Sequence, residues 1–167
     1  QAVTTPRAII ANLPYNVGTA MLIHWLQEIA VDTGSYQSLT LMFQKEVVDR
    51  ITAVPGGKNY GRLSVLSQWL CEVHSLFTLP PQAFTPPPKV DSAVVQLIPR
   101  QKRAVCDLEK LERVTAAAFG QRRKMLRASL KSLHPQAEDW LKQCGIEPTR
   151  RAETLTLQEF ITLAETL

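Results

Sequence analysis

The chain has 167 residues, 45% of them apolar and 20% charged, with a net charge of +4. That is enough apolar content to bury a core as one domain plus a small appendage, and no apolar run approaches the roughly 20 residues a membrane span needs. Cys71, Cys106 and Cys144 lie far apart, which excludes a Cys-x-x-Cys motif or a disulfide frame and points to reduced thiols in a cytoplasmic protein.

In chain order, the apolar run Ala8-Ile9-Ile10-Ala11 predicts a buried strand over 7–12. Met21, Leu22, Trp25, Leu26 and Ile29 recur at helical spacing and predict a helix over 17–30. A polar break at 32–37 precedes a strand over 38–44, in which Met42 and Phe43 read as core. Gln44-Lys45-Glu46 then opens toward the ligand edge of the sheet, and the helix predicted over 45–54 stops at Pro55-Gly56-Gly57. A further helix is expected over 62–71, with Arg62 read as a structural ion-pair residue and RNA contact as its alternative. Strands follow over 73–79 and 90–98.

Pro99 and the basic stretch 100–103 mark a boundary, and everything beyond reads as helix, over 107–119, 122–133, 136–144 and 156–166. Asp107 suits a helix cap, Gly145 a helix end, and Thr156 with Glu159 a capping box. Trp25, Trp69 and Trp140 sit on apolar helix faces and read as core. His24, His74 and His134 are scattered, so no metal site is expected.

Asn12-Leu13-Pro14-Tyr15 follows the first strand, at the end where open α/β sheets place their ligands. One reading is a proline-containing turn whose tyrosine packs on the core. The other is a grip for a flat base that carries an exocyclic amine. The amine of adenine is a poor nucleophile because its lone pair is delocalised into the ring. The Asn12 side-chain oxygen and the Leu13 carbonyl can hold both amine hydrogens and turn the lone pair toward an electrophile. Pro14 restrains Leu13, and Tyr15 would stack on the base. The motif alone leaves both readings open.

Residues 84–95, Phe84-Thr85-Pro86-Pro87-Pro88-Lys89-Val90-Asp91-Ser92-Ala93-Val94-Val95, form a second informative run. A proline triplet makes a stiff extended loop. Phe84 either fills a gap there or stacks on the face of the base opposite Tyr15, where stacking contributes roughly 1–3 kcal/mol.

Charge is uneven. Residues 1–99 carry six basic and six acidic side chains, whereas residues 100–151 carry thirteen against six. Arg122, Arg123, Lys124, Arg127 and Lys131 follow one another with no intervening acid, and at helical spacing Arg123, Arg127 and Lys131 share a face. With Arg150-Arg151 nearby, they suggest a phosphate-binding surface for structured RNA rather than a merely solvated face. Arg151 has a second possible use, pairing with a carboxylate to pin the last helix.

Asn12–Tyr15, Met42-Phe43-Gln44-Lys45-Glu46-Val47, Tyr60-Gly61-Arg62-Leu63-Ser64-Val65 and the run 84–95 together resemble the ribosomal RNA adenine dimethyltransferases. Ala118-Phe119-Gly120-Gln121-Arg122-Arg123-Lys124 and Arg150-Arg151-Ala152-Glu153-Thr154-Leu155 resemble the bacterial small-subunit (16S) members in particular. The resemblance covers essentially residues 7–167. It implies an enzyme that transfers methyl groups from S-adenosylmethionine to the exocyclic amines of two adjacent adenosines in 16S rRNA, on the immature small ribosomal subunit in the cytoplasm. It implies catalytic roles for Asn12, Leu13, Pro14, Tyr15 and Phe84, a place for Asn12 beside the methionine part of the cofactor, and rRNA contacts from Arg122, Arg123, Lys124, Arg127 and Arg151. The fold expected is α/β: a partial Rossmann-like methyltransferase sheet from its fourth strand onward, residues 1–99, then a small all-helical rRNA-binding domain, residues 100–167.

One feature of the family is missing. None of the seven glycines forms a Gly-x-Gly-x-Gly pattern between a strand and a helix, the element that holds the cofactor. The chain is therefore expected to correspond to the carboxyl-terminal part of the enzyme, inactive by itself. Its first strand should then present an open edge that favours self-association. A non-catalytic RNA-binding or ribosome-assembly factor that keeps the base pocket is the alternative. An amino-methyltransferase acting on DNA is a third reading, against which the match through residue 155 argues.

Overall fold

The computed structural model describes residues 7–14 and 16–167; the stacking role expected of Tyr15 falls on a position outside the described residues. The chain divides into two compact units. The first runs through Thr52 and resumes over Leu70–Arg103, and the second comprises Ala53–Trp69 with Ala104–Leu167. In packing terms, residues 53–69 thus group with the helical part of the chain rather than with the sheet.

The first unit is built on strands β1 (Arg7–Asn12), β2 (Tyr36–Gln44), β3 (Cys71–Leu79) and β4 (Ser92–Pro99), in the order β1-β2-β4-β3. β1 and β2 are parallel, joined by helix α1 (Gly18–Val31), as a parallel pair requires a crossover. β2–β4 and β4–β3 are antiparallel. Alternation decides the faces: Leu39, Leu41, Phe43, Val95 and Leu97 are buried, sharing a core with Leu22, Leu26 and Ile29 of α1. Helix α2 (Lys45–Ile51) packs on β2 and β4 and buries Val48 and Ile51. Arg103 donates from its guanidinium to the carbonyls of Ile29 and Ala30, at 3.0 and 2.5 Å, satisfying the carboxyl end of α1. β1 is an edge of this sheet, and its Ile10 is 83% exposed.

The second unit contains α3 (Arg62–Leu70, through Trp69), α4 (Leu108–Gly120), α5 (Leu126–Ser129), α6 (Ala137–Gln143) and α7 (Leu157–Thr166). Asp107 caps α4 by accepting from the Lys110 amide at 3.0 Å, and Thr156 with Glu159 completes a capping box at α7. Gly145 ends α6 at φ 71°, a left-handed conformation that favours glycine. The rings of Tyr60, Phe119 and Phe160 form the aromatic centre of this core, and Trp69 and Trp140 are buried with their indole N–H groups donating to Ala104 and Thr166.

One predicted helix is much shorter than the sequence suggests. Over 122–133 only Leu126–Ser129 is helical. Met125 is extended (φ −67°, ψ 152°), and the amides of Leu126 and Arg127 donate to the carbonyls of Arg150 and Pro148 instead. Tertiary hydrogen bonds to the 148–150 segment replace those a longer helix would supply, so Arg123, Arg127 and Lys131 do not share a helix face. Arg62 is exposed at the start of α3 and makes no ion pair among the described residues, which corrects its reading as a structural ion-pair residue.

Candidate active site

β1 ends at Asn12, and the chain turns at once into α1. The Pro14 carbonyl accepts from the amides of Val17 and Gly18 at 3.1 and 3.0 Å, which closes the turn. A Cβ at Gly18 would lie 2.9 Å from Phe43 Cε1 and 3.3 Å from Leu13 Cβ, so the turn is pressed onto the end of β2 and position 18 has room only for glycine. Leu13 packs its side chain into the core, at 6% exposure, and still borders the opening beyond the strand.

That opening is a cavity of about 340 Å³, within the size range of small-ligand sites. Asn12, Leu13 and Pro14 form one wall, and Phe84, Pro86 and Pro88 form another. Met42 completes the lining. The proline-rich loop is held over the sheet edge at both ends. Phe84 donates its amide to the Pro81 carbonyl at 3.2 Å, and the Asp91 carbonyl accepts from the Lys45 amide at 2.9 Å, where β2 passes into α2. Of the site residues read from the sequence, Asn12, Leu13, Pro14 and Phe84 thus border one cavity.

Met42, a core position by sequence pattern, is half-buried and lines the cavity, because its neighbours Leu41 and Phe43 point to the opposite face. Strict alternation in β2 is the signal that identifies it. Gln44, Lys45 and Glu46 do not border the cavity; Lys45 pairs with Asp49 at 2.8 Å, and Glu46 pairs with Arg50. The described lining holds no ionisable side chain, so no general acid or base is present in it. A neutral amide oxygen beside a carbonyl, in apolar surroundings, suits an uncharged amine held by its hydrogens.

Two of the thiols, Cys71 and Cys106, offer no competing chemistry. Burial pushes Cys71 up to about 12 and Cys106 up to about 11, so neither is a thiolate near neutral pH. Among the described residues no group of His, Cys, Asp and Glu is arranged to hold a metal, and no helix is long and apolar enough to cross a membrane.

The basic residues divide by what they already touch. Gly120, Gln121, Arg122, Arg123 and Lys124 surround a second cavity, of about 550 Å³, at the end of α4. Arg122 is partly used internally, donating to the Gly57 carbonyl at 3.2 Å, whereas Arg123 and Lys124 are exposed. Arg127 lies 3.8 Å from Glu138, which Lys142 also pairs at 3.0 Å, so its charge is partly neutralised in space although not in sequence. Arg127 and Lys131 border a third cavity, with Glu138 at its rim. The last helix is pinned by Arg150, not Arg151: its guanidinium donates to both Glu159 oxygens at 2.5 and 3.1 Å and to the Thr154 carbonyl at 2.6 Å. Arg151 stays exposed.

A sheet ordered β1-β2-β4-β3, with one parallel pair and an antiparallel end, places the chain among the methyltransferase α/β folds, and solved structures agree. A dimethyladenosine transferase from Plasmodium falciparum superposes with a TM-score of 0.80 at 23% identity, over 98% of this chain and 67% of that one. The 23S rRNA methyltransferase ErmE gives 0.68 at 22% identity, over 100% and 67%. The chain belongs to the ribosomal RNA adenine dimethylase family, whose pattern matches residues 2–167. Curated relatives called ribosomal RNA small subunit methyltransferase A include one from Rhodospirillum rubrum, 59% identical over 160 residues, and one from Paracoccus denitrificans, 58% identical over 165. These alignments cover 95% and 98% of this chain but 54% and 58% of the relatives, so the chain spans little more than half their length.

Proposed function

We propose that the protein to which this chain belongs methylates the exocyclic amines of two adjacent adenosines in 16S rRNA, and that the cavity after β1 receives the base. The observation that carries this reading is the joining of Asn12 and Leu13 with Phe84 around one cavity whose described lining is uncharged, by elements about 70 residues apart in sequence, the second of which is tied to the end of β2 through Lys45 and Asp91. Asn12 Oδ1 and the Leu13 carbonyl accept the two amine hydrogens, which turns the nitrogen lone pair outward. Phe84 stacks on one face of the base, and Tyr15 is assigned the other face. Pro14 contributes by fixing the carbonyl before it. The amine becomes acidic once alkylated and gives its proton to water, so a lining without ionisable groups suffices.

S-adenosylmethionine fits the reacting end of this site: an amide and a carbonyl in apolar surroundings present no competing nucleophile. When bound, it supplies an electrophilic methyl on a charged sulfur, and Asn12 is the residue of this chain that would lie beside its methionine part. The glycine nearest the site cannot cradle the rest, because Gly18 is filled by the Phe43 ring. We therefore expect these 167 residues alone not to methylate and, with the β1 edge open, to self-associate. Arg123, Lys124 and Arg151 are the rRNA-binding residues best supported by their exposure, with Arg122 and Arg127 sharing that role with internal partners. The proposed setting is the immature small subunit in the cytoplasm.

The test is methyl incorporation into unmodified small-subunit RNA by the intact protein. Label is expected on adenine N6 with the parent, and about a hundredfold less with Asn12→Ala, the scale of removing one preorganised polar group from a reacting centre. Label absent from adenine in the parent would refute the reading, and binding without transfer would favour an assembly factor.

A further inference from the structure

We propose that Met42 determines whether this site completes two methyl transfers on one base or stops after the first. The inference rests on the base-binding reading above and goes beyond it to a residue that sets the product. Asn12 and Met42 are register partners on the parallel strands β1 and β2, and both border the cavity. Partners in register project from the same face of a sheet. Among the described lining residues, Asn12 is the one polar side chain and Met42 is the one apolar side chain that the sheet itself contributes.

An unmodified adenine amine has two hydrogens, one for each acceptor of the grip. After one transfer it has a single hydrogen and a methyl group. The base is then held by one hydrogen bond fewer, and the methyl must lie against something apolar close to Asn12. In the second transfer the nitrogen lone pair forms a new N–C bond to the methyl of a sulfonium donor. The S–C bond breaks with its electron pair left on sulfur, and the remaining N–H proton passes to water. Between the two steps only the shape and polarity of the amine change, so the residue that meets the first methyl controls the second step.

Met42 fits that task better than the rest of the lining. Leu13 turns its side chain into the core, Pro14 is a rigid ring spent on closing the turn, Phe84 is assigned to the face of the base, and Pro86 and Pro88 are rigid side chains on the far loop. An unbranched thioether can shift to admit a methyl and still touch it. Met42 is half-buried and borders the cavity from β2.

The experiment uses the intact protein on small-subunit RNA that lacks the modification, with nucleosides resolved by mass spectrometry as N6-methyl- and N6,N6-dimethyladenosine. Met42→Gln, close to isosteric, sets an amide where the methyl rests. Its second transfer is expected to slow about tenfold more than its first, within the range one methyl group has on pocket discrimination, so monomethyl product accumulates. Met42→Leu restores dimethyl product. Met42→Ala, expected to shift the ratio the same way, carries the test where the glutamine variant does not fold. Equal slowing of both transfers, or dimethyl product at the parental ratio in either variant, overturns the assignment. Asn12→Ala measured in parallel separates the two claims. Parental rates there defeat the base-binding reading itself, whereas lost transfer there with an unchanged ratio at Met42 defeats only the role of Met42.

Discussion

The turn after β1 and the basic turn after α4 are both short loops that border cavities, yet they are held in opposite ways. Around Asn12 the backbone is fixed by packing: Gly18 against Phe43, Leu13 in the core, and the Pro14 carbonyl closing the turn. Its described lining carries no charge. Around Arg123 and Lys124 the side chains are exposed, and only Arg122 is tied down, by one long hydrogen bond to Gly57. The first arrangement suits chemistry, where small displacements matter. The second suits a polyanion, for which charge in the right region is enough.

From that contrast, a single added methyl group is expected to do more harm at the first turn than a removed charge does at the second. Gly18→Ala drives a Cβ into the Phe43 ring. In the intact protein it should lower methyl transfer by about a hundredfold, the effect of a roughly 1 Å misplacement near the chemistry, and lower stability by about 1–3 kcal/mol, read by thermal unfolding. Phe84→Leu removes the stacking face but leaves the loop anchored, and should reduce kcat/KM by roughly tenfold to a hundredfold, as loss of base stacking does.

Smaller effects are expected in the helical unit. Arg150→Met should destabilise it by about 2 kcal/mol, since it removes hydrogen bonds to a charged, partly buried carboxylate. Burial raises the pKa of Glu159, but hydrogen bonds from Arg150 and Thr156 outweigh it and leave the group below its ordinary value of 4.5. A depressed folded value means the stabilisation is present above that ordinary value and is lost as pH falls through the depressed one. Unfolding midpoints followed downward through the carboxylate range should therefore drop, and Arg150→Met should flatten the drop. Arg123→Ala and Lys124→Ala should leave folding intact and make the slope of log K for RNA against log salt shallower, by about one unit for each phosphate no longer neutralised. Arg127→Ala should change it less, because Glu138 already neutralises part of that charge.

The pocket is readable from the sequence because its determinants are local. A strand followed by Asn-Leu-Pro and a proline triplet after Phe84 each fix their own backbone, and the sheet order brings them together. Met42 escapes such a reading because an apolar residue in a strand looks the same whether it faces a core or a cavity, and only register distinguishes the two. In the basic segment, charge spacing suggests a helix over 122–133. The hydrogen bonds that cut it short come from Arg150 and Pro148, about twenty residues away, and no local pattern encodes them. The same separation hides which arginine of the 150–151 pair reaches Glu159.

The most direct test of the amine grip is steady-state methyl transfer by the intact protein, comparing Asn12→Ala with the parent across a range of RNA concentrations. The expected result is a kcat lowered about a hundredfold with KM for RNA changed far less, because Asn12 orients the reacting nitrogen while the basic surface holds the RNA. A parental kcat in Asn12→Ala would contradict the account.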